Sequence, residues 1–176
     1  PTAFTLNPDA DFANTENCTV VVSAAQVTDQ DTNDPPEAMA ADHTFGFTTA
    51  GNVCTTTYTP AYQIQGSGMS AAITGTVNTQ GVVVGDFEGS AAAQGFYLQD
   101  ATGDANTATS DGIFVFTGSV NAVNVGDVVR VTGFARERFN QTTLNGSNSN
   151  TSAVTQIVQC GTGSVAATDV TMPFAT

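Results

Sequence analysis

The chain has no lysine, no tryptophan and one histidine, and its only cationic side chains are Arg130, Arg136 and Arg138. Against these three stand 16 Asp and Glu, so the formal charge is 3 − 16 = −13. A field of that sign repels nucleic-acid phosphates and anionic membranes, which excludes the broad positive surface that unaided binding to either requires. With His43 the single imidazole, no Ser-His-Asp or Cys-His set can be assembled: Cys18, Cys54 and Cys160 would all have to share it, and no Gly-rich nucleophile elbow is present. The chain is therefore not expected to be an enzyme. Long apolar runs are missing as well. Val82–Val84 and Ile113–Phe116 fall far short of the roughly 20 residues that span a bilayer, so no membrane span is expected. Helical periodicity is nearly absent. No charged-then-apolar export signal opens the chain either, since Pro1 leads directly into Ala3-Phe4-Thr5-Leu6; the start reads as a processed or excised end.

What remains is 176 residues, 40% of them hydrophobic, enough apolar mass for one average domain or two small ones. Only 11% are charged, so solubility must rest on Thr, Asn, Ser and Gln. Three cysteines in such a chain suggest an oxidising, extracellular location, secreted or at the cell surface. The N-x-S/T triplets at Asn17, Asn140, Asn145 and Asn150 are expected by chance in an Asn/Thr-rich chain and matter only in a glycosylating host.

Short β-branched runs bounded by Gly, Asn, Asp and Pro recur throughout, which predicts an all-β protein. Residues 1–50 offer three strands, Ala3–Leu6, Cys18–Ala24 and His43–Thr49, too few to bury both faces of a sandwich. The Thr-rich stretch 51–60 reads as a linker. Residues 61–176 offer five strands: Thr76–Phe87, Gly95–Gln99, Gly112–Phe116, Asp127–Phe134 and Val154–Gln159. Gly81 and Gly85 let the first bend around a small barrel. A strongly coiled first strand and little helix fit an OB-like five-stranded Greek-key barrel.

The ordered segments Ile64-Gln65-Gly66-Ser67-Gly68, Gly81-Val82-Val83-Val84-Gly85-Asp86-Phe87, Gly95-Phe96-Tyr97-Leu98-Gln99-Asp100, Thr109–Phe116 and Val125–Gly133 resemble the OB-fold module of secreted bacterial nucleases. In that family it accompanies a catalytic domain of the endonuclease/exonuclease/phosphatase type. Upstream, Val27–Asp31 and Met39–Thr49 are similar to the closing strands of a bacterial Ig-like domain, of which only the second half is present. The resemblance implies an association with extracellular nucleases. It does not imply cleavage, because those catalytic domains need several His and acidic residues around a divalent metal.

Four groups of residues invite a functional reading. In the loop Asp100–Gly112, Asp100, Asp104, Asn106 and Asp111 concentrate the oxygen ligands that Ca²⁺ takes; the same residue types also cap backbone amides in ordinary turns. Asp29, Asp31 and Asp34 suggest a second cation site or a solvated loop stiffened by Pro35-Pro36. Arg130, Arg136 and Arg138 with Phe139 form a basic-plus-aromatic pattern that suits single-stranded nucleic acid, or they pair with Glu137 and the acidic loops. The aromatics Phe87, Phe96, Tyr97, Phe114 and Phe116 are expected in the barrel core. His43 beside Asp42 reads as a surface or interface residue.

Cys54 and Cys160 flank the barrel and would staple its two ends, leaving Cys18 over; pairing of Cys18 with Cys54 is the rival. Together these features lead to a non-catalytic extracellular binding or spacer module, with cation-dependent nucleic-acid binding as its expected chemistry. The alternative is a self-assembling filament or matrix subunit, in which the incomplete Ig-like sheet accepts a strand from another copy or from a missing N-terminal segment.

Overall fold

The computed structural model describes residues 5–28, 33, 38–89 and 93–167, and among them strands dominate. The chain is all-β. It divides into two compact units, Pro1–Asn52 and Val53–Thr176. In the first, β1 (Asn17–Val22) pairs antiparallel with β2 (His43–Thr48), from Asn17↔Thr48 to Val22↔His43. Alternation puts Cys18, Val20 and Val22 on one face with Phe47, Phe45 and His43. Phe12 packs edge-to-face on Phe47 at 5.6 Å. The expected strand Ala3–Leu6 and the acid-rich stretch with Asp29, Asp31 and Asp34 fall largely or wholly outside the described residues.

The second unit opens with a 3-10 turn, Val53–Thr55, and helix α1 (Ala61–Gln65), whose Ile64 is wholly buried. Six strands follow: β3 (Gly75–Phe87), β4 (Gly95–Gln99), β5 (Gly112–Phe116), β6 (Asp127–Arg138), β7 (Gln141–Asn145) and β8 (Gln156–Thr162). Their order is β3-β4-β5-β7-β6-β8, and β3 also pairs with β6, so five of them close into a barrel. All pairings are antiparallel except β5–β7, which runs parallel through Phe114↔Thr143. β3 pairs with β6 over Gly75–Val82 and with β4 over Val82–Phe87, with a register shift between Val83 and Gly85. The glycines make this bend possible: a Cβ on Gly81 would lie against the Gln99 carbonyl, and one on Gly95 against that of Val115. Val77, Val83, Phe96, Leu98, Ile113, Val115, Val129, Val131, Ala135 and Leu144 fill the interior beneath Ile64.

Two expectations are corrected. The fifth barrel strand is β7, not Val154–Gln159; β8 lies outside the closed circuit, on the first half of β6. β7 escapes notice because Gln141-Thr-Thr-Leu-Asn has one aliphatic residue, Leu144, and the barrel asks no more of it. The stretch 53–60 is a strap of the barrel rather than a linker. Cys54 is bonded to Cys160 across 106 residues, Thr59 donates its N–H to the Asn78 carbonyl, and the Thr56 and Thr57 carbonyls accept from Arg130. Apart from the disulfide, the strap takes part in these contacts through its main chain, so its side-chain pattern carries no sign of them. The disulfide also settles the pairing, with Cys18 left as a thiol.

Closing a ring of 106 residues restricts the unfolded chain by up to about 4–5 kcal/mol in the chain-entropy picture. Reduction, or Cys54→Ser with Cys160→Ser, is expected to lower the melting temperature by roughly 10–20 °C in calorimetry. An unchanged transition would show that the strap is held without its bond.

Candidate ligand-binding site

The site grows out of the second half of β6. Past Ala135, its last residue paired with β3, the strand continues alone with β7 as far as Arg138↔Gln141. Phe139 and Asn140 make the two-residue connection, with φ of 53° and 63°, the signs of a type I′ turn. Asn tolerates the left-handed region. A bulky ring does not, and Phe139 is also 75% exposed; strain of this kind, about 1 kcal/mol or more, gathers where a side chain is needed in place. Interior residues of β6 are odd-numbered, so Arg136 and Arg138 point outward. The Arg138 guanidinium lies 4.0 Å from the centre of the Phe116 ring and 4.9 Å from that of Phe139, and its Nε donates to the Asn150 carbonyl at 2.9 Å. Burial and the neighbouring charge of Arg136 hold its pKa below the usual value. Arg136 donates through Nε to the Glu137 main-chain carbonyl, and its buried Nη1 meets no acceptor. The expected ion pair with Glu137 is not formed: one oxygen of that carboxylate accepts from the Ala71 N–H and the Thr142 hydroxyl.

An aromatic ladder lies on the same outer face. Ile113 and Val115 face the core, so Phe114 and Phe116 face out, where they are covered by neighbours rather than by water. Tyr97 stands 5.1 Å from Phe114 and Phe87 stands 6.1 Å from Tyr97, both edge-on. Phe87 is 48% and Tyr97 37% exposed. The expectation of an aromatic core is therefore right for Phe96 alone: Phe114 and Phe116 are buried outside the barrel, and Phe87 and Tyr97 form its surface. The alternation about Phe96 and Leu98 carried that signal for Tyr97. For Phe87 it was hidden by the register shift at Gly85, which resets which side chains face out. Gln141, absent from the sequence-based residues, donates to the Tyr97 hydroxyl at 3.2 Å.

Arg130 does not join the other two. It is 4% exposed, and its guanidinium donates to the Thr56 and Thr57 carbonyls and to Gln80 while lying 5.1 Å from the Tyr58 ring centre. All three of its nitrogens already donate within the barrel unit and the residue is buried, so the structure places it as a pin of the strap and apart from Arg136 and Arg138, with which it was grouped as a contact residue. Burial and Asp100 raise the pKa of Tyr58.

The Asp100–Gly112 loop is organised by its own amides. Asp100 accepts from the N–H groups of Thr102 and Gly103, both at 3.0 Å; Asp104 from the Asn106 N–H and the Thr109 hydroxyl; Asn106 from the Ala108 N–H; and Asp111 from the Asp104 N–H. Gly103, at φ +64°, sits where a Cβ would strike the Asp111 carboxylate. The side chains of Asp100, Asp104, Asn106 and Asp111 thus cap the backbone, and among the described residues no three His, Cys, Asp or Glu side chains gather as a metal-ligand set. Asp29, Asp31 and Asp34 lie outside the described residues.

No model of a known protein family matches the chain, and no curated protein or solved structure is significantly similar to it.

Arg130 and the outer arginines should separate in unfolding experiments. Arg130→Met removes a buried guanidinium that bonds two carbonyls and an amide oxygen and is expected to cost about 2–4 kcal/mol in urea denaturation, whereas Arg138→Met should cost under about 1 kcal/mol. Equal losses would mean that Arg130 does not pin the strap.

Proposed function

We propose that the barrel is a non-catalytic extracellular module that holds single-stranded nucleic acid across its outer face. The observation that supports this best is electrostatic. Arg136 and Arg138 stand side by side in a chain with 16 carboxylates, yet among the described residues neither bonds a carboxylate and Arg136 Nη1 is buried without an acceptor. Two adjacent cations destabilise one another, and a phosphate relieves both through charge-assisted hydrogen bonds. Phe139, Tyr97 and Phe87 supply the rings on which unpaired bases stack. The barrel's circuit, first-second-third-fifth-fourth with a parallel third–fifth pair, agrees with an OB-like Greek-key barrel, and so with the resemblance to accessory modules of secreted nucleases. The Cys54–Cys160 bond is in keeping with an extracellular location.

Net charge limits the affinity. Two phosphate contacts imply a slope of log K against log salt near about −1.4 for a single strand, so binding is weak and seen best at low ionic strength. Fluorescence anisotropy with a labelled single-stranded oligonucleotide, in millimolar calcium and again in chelator, tests the reading. Wild type should bind, Arg136→Met with Arg138→Met should abolish most of the signal, and Tyr97→Ala should lose about 1–3 kcal/mol. Absence of binding under both conditions overturns the proposal, and equal binding in the two removes calcium from it.

A second reading, self-assembly by strand complementation of an Ig-like sheet, has one observation in its favour. The described residues of the first unit form a two-stranded sheet in which Phe45 and Phe47 remain 44% and 40% exposed; such a pair is marginal in water by itself. Sedimentation velocity across a concentration series should show growing oligomers, and a monomer throughout rejects this reading.

A further inference from the structure

Beside Tyr97 the outer face falls into a cleft at one end of the barrel. A hollow of about 390 Å³, between the segment after α1, the 108–110 loop and the β6–β7 turn, adjoins one of about 210 Å³ over Tyr97 and Phe114; Gln65, Ser110, Gln141 and Thr142 line both. Three of the lining side chains are primary amides with groups to spare. Gln65 gives one N–H to the Gly112 carbonyl and Gln141 gives one to the Tyr97 hydroxyl. The second N–H and the oxygen of each, and the whole amide of Asn140, meet no partner among the described residues. The Tyr97 hydroxyl, which accepts from Gln141, keeps its own proton to give. One oxygen of Glu137 accepts from the Ala71 N–H and the Thr142 hydroxyl, and the other is free among the described residues. Donors and acceptors are thus available in like measure, and each amide holds one of either kind side by side.

A ligand that suits this lining brings groups that both give and accept a hydrogen bond, in adjacent pairs. Vicinal hydroxyls do so: one accepts the amide N–H while its neighbour donates to the amide oxygen or to the free oxygen of Glu137. A phosphate only accepts; it meets the Glu137 carboxylate here, and among the described residues no arginine lines either hollow. The Tyr97 and Phe114 rings supply the apolar wall against which the C–H face of a sugar packs. We infer that the cleft is a separate site for a neutral saccharide, held by Gln65, Asn140, Gln141 and Glu137 beside the Tyr97 ring. The inference does not rest on the nucleic-acid reading. Among the described residues Glu137 is the one carboxylate of the lining, and hydrolysis of a glycosidic bond ordinarily takes two, so the site binds its ligand without cleaving it.

The test is affinity electrophoresis of the intact chain through native gels, each holding one soluble neutral polysaccharide: an α-glucan, a mixed-linkage β-glucan, a galactomannan or an arabinoxylan. At least one should retard the chain in proportion to its concentration. On that polysaccharide Gln141→Ala and Asn140→Gly should each weaken retention roughly five- to tenfold. Both changes spare the fold: Gln141 is exposed, and glycine keeps the left-handed turn at residue 140, φ 63°, while deleting the amide. Melting curves like that of the wild type check this. Retention in none of the gels overturns the inference, and so does retention that both variants keep in full. Oligonucleotide titration in parallel separates the two readings. Oligonucleotide binding without retention removes the saccharide site alone, and retention without oligonucleotide binding leaves the saccharide site standing while the nucleic-acid reading falls.

Discussion

The second unit depends on β6. Along one edge it pairs with β3 and closes the barrel; along the other it pairs first with β8 and then with β7. One strand serving three partners requires that it outlast each of them, and the last three residues, Arg136–Arg138, are the excess that runs on beyond Gly75, the first residue of β3. That excess is what carries two guanidiniums onto the outer face and ends in the Phe139–Asn140 turn. The glycines of β3 and β4 belong to the same constraint. Without the close approaches at Gly81 and Gly95, β3 could not leave β6 and take up β4 within one continuous strand.

The distribution of cations follows the same division. In a chain of net charge −13 an arginine has many carboxylates within reach, yet these three serve other partners. Arg130 spends its donors on carbonyls of the strap, where a planar fork with five N–H groups satisfies main-chain acceptors that no neutral side chain could reach together. Arg138 lies against two rings, and Arg136 is left with a buried nitrogen unmet. The acidic loop meanwhile turns its carboxylates inward to its own amides. Both signs of charge are thus used locally, and the pair on β6 is where a guanidinium nitrogen, Arg136 Nη1, is left without an acceptor.

Much of this was legible in the residues. Strands β3 to β6 lie close to where alternation and turn residues placed them, and Arg138 with Phe139 stood out as a cation beside an aromatic. What escaped did so for definite reasons. β7 has a single inward aliphatic residue, so no period-two pattern announces it. Apart from Cys54 and Tyr58, the strap is held through its backbone, which a side-chain pattern cannot report. Phe87 and Tyr97 look like core residues because aromatics on strands usually are, and only the register shift and the interior position of Phe96 turn them outward.

By itself, then, the amino-acid order determined the class of structure, since β-branched runs bounded by glycines dictate strands, and it set the charge of the chain, with three arginines and no lysine against 16 carboxylates. Which arginine is structural and which is available was decided only in three dimensions. Arg130, Arg136 and Arg138 share one strand and one face, and nothing in their spacing tells them apart. Their fates differ because the strap crosses one end of β6 and not the other, a fact set by long-range closure of the barrel and by the bond between residues 106 positions apart.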